Sequence, residues 1–112
     1  MSCNTAEKQS AQADLDKAQR DLEAQVYKNR ELLDKETEHV RLLNQQLAKV
    51  QLTYKAVSGR YASGIGTVVE LLKGQNDLAD IQQQRIKAIS DWHAAQVRLV
   101  AMLGEMEVLE KK

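Results

Sequence analysis

The chain contains no proline, and three of its five glycines fall close together, at Gly59, Gly64 and Gly66. Proline is the residue that most reliably breaks a helix, and glycine the one that most readily ends it. With the first absent and the second clustered, the sequence reads as helix on both sides of one interruption. The stretch Gly59-Arg60-Tyr61-Ala62-Ser63-Gly64-Ile65-Gly66-Thr67-Val68-Val69-Glu70-Leu71-Leu72 is that interruption. It predicts a tight hairpin tip, the place in a repetitive chain where specific function concentrates.

Before the tip, apolar or small residues recur as Leu15, Ala18, Leu22, Val26, Leu33, Val40, Leu43, Leu47, Val50, Tyr54, Val57 and Tyr61. From Val40 onward the steps alternate between three and four, the signature of a left-handed coiled-coil seam. The two successive steps of four from Ala18 to Val26 predict a stutter there. Asn29 and Glu36 fall on the seam and weaken it.

The second helix has clear start chemistry. Thr67 suits an N-cap, and Glu70 three residues on completes a capping box. Gly64 suits the left-handed residue that closes the preceding helix. The fold class that follows is all-α: a long antiparallel helical hairpin (coiled coil), with helix 1 about 5–62, tip 63–66 and helix 2 about 67–103. Gly104 marks the expected end, although Glu105 to Leu109 could continue helically. Residues facing across the hairpin have numbers adding to about 128, so Val57 lies near Leu71, Val50 near Leu78 and Val40 near Ile89. Leu103 then lies near Gln25 or Val26, and residues before about 22 overhang.

Helix 2 carries two apolar stripes. One runs Val68, Leu71, Leu78, Ile89, Trp92, Leu99 and Leu103; the other runs Leu72, Ala79, Ile86, His93 and Val100. A two-helix hairpin buries one narrow seam, so the second stripe implies further helices supplied from outside it.

Composition narrows function mainly by exclusion. Sixteen basic and sixteen acidic residues are interspersed, leaving a formal charge of zero and no basic block suited to a phosphate backbone. Aromatics make up 4% and Phe is absent, which argues against a thick globular core. No apolar run approaches the ~20 residues that span a bilayer, and Met1-Ser2-Cys3-Asn4-Thr5 lacks the basic and apolar regions of a signal peptide. The expectation is a cytosolic protein or a segment of a larger exported one. Cys3 is the only cysteine and reads as an incidental free thiol. His39 and His93 are single on their faces, so no metal site is expected. Gly64-x-Gly66 lacks the preceding strand of a phosphate loop, and no Ser or Cys stands beside a base. The reading is a non-enzyme without cofactor. The glutamines Gln75, Gln82, Gln83, Gln84 and Gln96 read as helix formers on a solvated face rather than as channel lining.

Arg60 to Leu72 resembles the periplasmic tip of TolC-like outer membrane efflux proteins, which reads as Arg-Tyr, two residues, Gly, a short turn and an apolar-acidic-Leu-Leu helix start. Gln75-Asn76-Asp77-Leu78-Ala79 is similar to the family's Ala-Gln-x-x-Leu segment. Trp92 and Leu99-Val100-Ala101-Met102-Leu103-Gly104 resemble its last aromatic and Leu-Gly ending. Ala11 to Leu33 is similar to the Ala- and Gln-rich helix before the tip.

The resemblance implies that residues 1–112 are a single helical hairpin, the C-terminal one, from the periplasmic α-barrel of a trimeric export duct, with no β-barrel portion. Its localisation would be the periplasm and outer membrane, as part of a full-length channel. The implied partners are a periplasmic adaptor, through it an inner-membrane pump, and further copies of the channel protein. Tyr61, Ala62, Ser63, Gly64, Ile65 and Gly66 would form the adaptor-docking surface. Tyr61 and Glu70 match positions at the duct entrance, while Gly64, Thr67 and Glu70 also serve turn and capping. Gly66 stands where some members carry a basic gating residue, and Lys73 where some carry a second acid. Two other readings remain open: an autonomous coiled-coil interaction module, and the hairpin of an adaptor-type membrane fusion protein.

Overall fold

The computed structural model describes residues 2–111, with side chains from residue 4 onward, so the Cys3 thiol lies outside the described side chains. Two helices account for the fold, α1 (Ser2–Ala62) and α2 (Val68–Glu110). No described helix is long and apolar enough to cross a membrane. Helix α2 does not stop at Gly104 but runs six residues further, to Glu110. A glycine within a helix costs about 1 kcal/mol relative to alanine but ends it only when the backbone turns left-handed. Gly64 is the only described residue that does so. Beyond Gly104, Met106 and Leu109 are half-buried and reward continuation.

The chain forms two compact units, Lys35–His93 and Met1–Asp34 with Ala94–Lys112. In the first, Leu43, Ile81 and Ala88 form the buried core, with Val40, Leu47, Val50 and Leu78 packed against it. Along α1 the seam positions are Glu36, Val40, Leu43, Leu47, Val50, Tyr54 and Val57; along α2 they are Leu71, Gly74, Leu78, Ile81, Arg85, Ala88 and Trp92, with Ser58 and Ile89 also half-buried beside them. Both lists alternate steps of three and four, so each helix offers one continuous coiled-coil seam. The register matches expectation: a Cβ on Gly74 would meet the Tyr54 ring, and 54 and 74 add to 128.

The α2 seam nevertheless differs from the predicted stripe. Val68 is 51% exposed, whereas Ala88 is 2% exposed. The helices approach closely where Gly74 and Ala88 lie, and a small residue there is covered by its larger neighbours. Large apolar side chains alone therefore did not mark the seam.

Three hydrogen bonds cross between the helices of this unit. Trp92 Nε1 donates to Thr37 Oγ1 at 2.9 Å, Arg85 Nε to Asn44 Oδ1 at 2.6 Å, and Gln75 Nε2 to the Tyr54 hydroxyl at 3.4 Å. Arg85 thus occupies a seam position that periodicity alone assigns to an apolar side chain, with its stem covered and its polar end at the edge.

In the other unit, Leu22, Val26, Ala95 and Leu99 are buried. The seam positions of α1 here are Leu15, Gln19, Leu22, Val26, Asn29 and Leu33, with Leu32 also half-buried beside them, while Ala18 is exposed. The 3–4 alternation is unbroken and the predicted stutter is absent, because Gln19 rather than Ala18 holds the seam. Asn29 satisfies its amide along its own helix, donating to the Gln25 carbonyl at 2.8 Å. Leu22 shares a groove with Gly104, Glu105, Val108 and Leu109 of the extended α2. Only residues 4–14 are therefore exposed throughout, a shorter overhang than expected. Leu103, predicted on the buried stripe, is exposed, as are Leu72, Ala79, Ile86, His93 and Val100 of the second stripe.

Candidate functional site at the hairpin tip

The tip is built by backbone hydrogen bonds around one left-handed residue. Gly64 has φ of 79°, and its N–H donates to the Tyr61 carbonyl at 3.0 Å while the Ile65 N–H donates to the Arg60 carbonyl at 3.0 Å. This pair of bonds is a Schellman motif, which satisfies carbonyls left open at the end of α1. The Gly66 N–H adds a third bond to Arg60, at 3.1 Å.

Gly66 is half-buried against that helix end. A Cβ there would stand 3.1 Å from the Tyr61 backbone nitrogen and 3.4 Å from the Arg60 carbonyl carbon. A side chain at 66 would therefore crowd the backbone of the preceding helix end, a steric reason for glycine at a position where some members of the resembled family carry a basic residue.

On the other side, the Thr67 hydroxyl accepts from the Glu70 N–H at 3.2 Å and caps α2. The Glu70 carboxylate makes no return bond to Thr67 among the described residues, so only half of the capping box forms. Its charge is left exposed on the first turn.

Tyr61, Ala62, Ser63, Gly64 and Ile65 are all exposed and lie together at the tip; Gly66 supports them from beneath. A Schellman turn is often closed by an apolar contact between the residues at the Ile65 and Arg60 positions. Here one partner is arginine, and Ile65 stays 71% exposed. Val69 is 72% exposed and Leu72 is 52% exposed beside it. The exposed apolar surface thus reaches into the first turn of α2, beyond the residues singled out from sequence. The signal for Val68 and Val69 was their phase, since both fall outside the Leu71–Gly74 seam.

Grooves along the stem are shallow and distant in sequence from the tip. One of about 510 Å³ is lined by Lys35, Glu36, Glu38, His39, Leu42 and Asp91. Among the described residues, no group of three His, Cys, Asp or Glu side chains is placed to hold a metal ion.

No curated protein and no solved structure matches the chain. The family model described as outer membrane efflux protein matches residues 2–105. With that match spanning both helices and the tip between them, the chain belongs to the outer membrane efflux protein family.

Proposed function

We propose that this chain is a periplasmic hairpin of an export duct, and that its tip docks onto the tip of a periplasmic adaptor that couples the duct to an inner-membrane pump. The family is one of efflux-channel components rather than of enzymes, so the role is passage and assembly, without a chemical step. The observation that carries the docking role is the exposed apolar surface of Ile65, Val69 and Leu72 on a turn held by three backbone hydrogen bonds. A patch of this kind on a preorganised turn loses little conformational freedom on binding.

Within this reading Tyr61, Ala62, Ser63, Gly64, Ile65 and Gly66 form the contact, with small residues allowing close approach of the partner's helix ends. Tyr61 narrows the duct entrance. Glu70, whose carboxylate is not used in capping, contributes negative charge there. Repetition of the hairpin around a closed ring, in a homo-oligomer at the outer membrane, would cover the second stripe of α2.

The test is sedimentation equilibrium of the chain with a cognate adaptor hairpin. A discrete complex lost on Ile65→Asp or Val69→Asp, with helix content unchanged by circular dichroism, is the expected result. Binding that survives both substitutions removes the tip from the interface. No binding by the unaltered chain favours the autonomous coiled-coil reading.

A further inference from the structure

Each helix of the unit Lys35–His93 carries a second row of residues, turned away from its mate. On α2 that row is Leu72, Asn76, Ala79, Gln83, Ile86, Ser90 and His93, exposed throughout and without an Asp, Glu, Lys or Arg. On α1 it is Lys35, Glu38, Leu42, Gln45, Lys49, Leu52 and Ala56, also exposed. Both rows alternate steps of three and four, and a helix with two such rows packs on two neighbours at once. Leu42 is 44% exposed, Leu52 69% and Ile86 67%. The outer row of α2 thus finds an apolar counterpart in the outer row of α1 on another copy.

His93 is the one position in the α2 row whose charge changes near neutral pH. It continues the heptad spacing of Leu72, Ala79 and Ile86, all of them apolar. Its helical neighbours three and four residues away, Ile89, Ser90, Gln96 and Val97, carry no charge, and Asp91 lies on the other flank, in the groove with His39. On α1 the flank corresponding to that of His93 carries Asp34 and Arg41, of opposite sign, either side of Thr37. With tips level, α1 of an adjoining copy would bring Lys35, Glu38 and, at the edge of its row, His39. Glu38 is already bonded to Arg41 on its own helix. A protonated imidazole there would give up water and meet a lysine and a carboxylate already in use.

We propose that protonation of His93 loosens the contact between copies of this hairpin and so makes their side-by-side association pH-sensitive. This pH sensitivity rests on the reading that neighbouring copies cover the outer row of α2. Associated copies hold fewer protons at this position than separated ones. Association therefore strengthens as pH rises through the imidazole range and weakens as pH falls through it.

The test is sedimentation equilibrium of the full chain at about pH 7.5 and about pH 5.5, with helix content followed by circular dichroism at both. The expected result is self-association at the higher pH that weakens at least ~10-fold at the lower. His93→Gln should associate alike at both, His93→Lys poorly at both, and His39→Gln should keep most of the parent's pH response. The Trp92 and His93 ring centroids are 4.9 Å apart and the rings tilted by 55°, so quenching of the tryptophan emission reports the imidazole's charge in the same samples. Ile86→Asp identifies the surface. If it leaves association untouched, or if the parent does not associate, the side-by-side reading fails and the role of His93 with it. Association that depends on Ile86 yet is equal at the two pH values, or a pH response that survives His93→Gln, overturns the role of His93 alone.

Discussion

The ring of Tyr54 lies against Gly74 across the hairpin, so close that a Cβ at 74 would stand 3.3 Å from Tyr54 Cδ2 and 3.9 Å from Val57 Cγ1. The absent side chain is what lets the helices meet there, and Gln75 then reaches the tyrosine hydroxyl. Gly74→Val should lower stability by about 1–3 kcal/mol through overpacking. In a Tyr54→Ala background the same change should cost much less, which a double-mutant cycle from thermal melts would read as coupling. Equal costs in the two backgrounds would mean that the Tyr54 contact does not set the requirement.

The remaining glycines separate by surroundings. Gly104 is helical and a Cβ there meets nothing within 4 Å, so Gly104→Ala should stabilise by up to ~1 kcal/mol. Gly66→Ala brings a Cβ against backbone and should destabilise by about 1–2 kcal/mol. Hydrogen exchange at the Ile65 and Gly66 amides should rise in the second variant and stay unchanged in the first.

Thr67→Ala removes the only side-chain acceptor for the Glu70 N–H and should cost about 1 kcal/mol. Thr67→Asp retains an acceptor and should stay near the parent. Glu70→Gln, by contrast, should leave the melting temperature almost unmoved, since its carboxylate does not complete the box. A large loss from Glu70→Gln would show that the box closes in solution.

On the stem, the Arg41 guanidinium hydrogen-bonds Glu38 and holds its carboxyl below the ordinary value of 4.5. A depressed folded-state value means that the pair's contribution is present above the unfolded carboxylate range and is lost as pH falls through the folded value. Both groups are solvent-exposed, so the suitable readout is titration rather than melting. NMR detection of the Glu38 side chain should show a midpoint below that of an isolated glutamate, and Arg41→Gln should return it upward.

Much of this structure was legible where periodicity and turn chemistry agreed. The 3–4 spacing from Val40 to Val57, the register near 128 and the Thr67 cap all rest on strong local signals. Helix α2 was harder because its seam passes through Gly74, Ala88 and Ala95, which a search for large apolar residues overlooks, and through Arg85, which such a search rejects. Gln19 displaced Ala18 because a long side chain can cover a seam with its methylenes, which removed the expected stutter. Gly104 looked like a stop because the residue type was read without its backbone angle. At the tip, the backbone was written in Gly64, Gly66 and Thr67. The spread of exposed apolar surface onto Val69 emerged only once the phase of α2 was known.

The tight turn also has a consequence for how the chain acquires its topology. The three cross-helix hydrogen bonds close sequence separations of 21, 41 and 55 residues. In an open chain, loop closure for the last costs about 0.9 kcal/mol more than for the first. Once Tyr54 and Gln75 have met, however, each later pair is brought together by the one before it. Folding should therefore start at the turn and zip along the stem, with the Thr37–Trp92 pair joining after Asn44–Arg85. Contacts made in this order are the most local available to a hairpin, which favours rapid folding. The few residues that hold Ile65 outward are thus also the place where the chain commits to one pairing over every other.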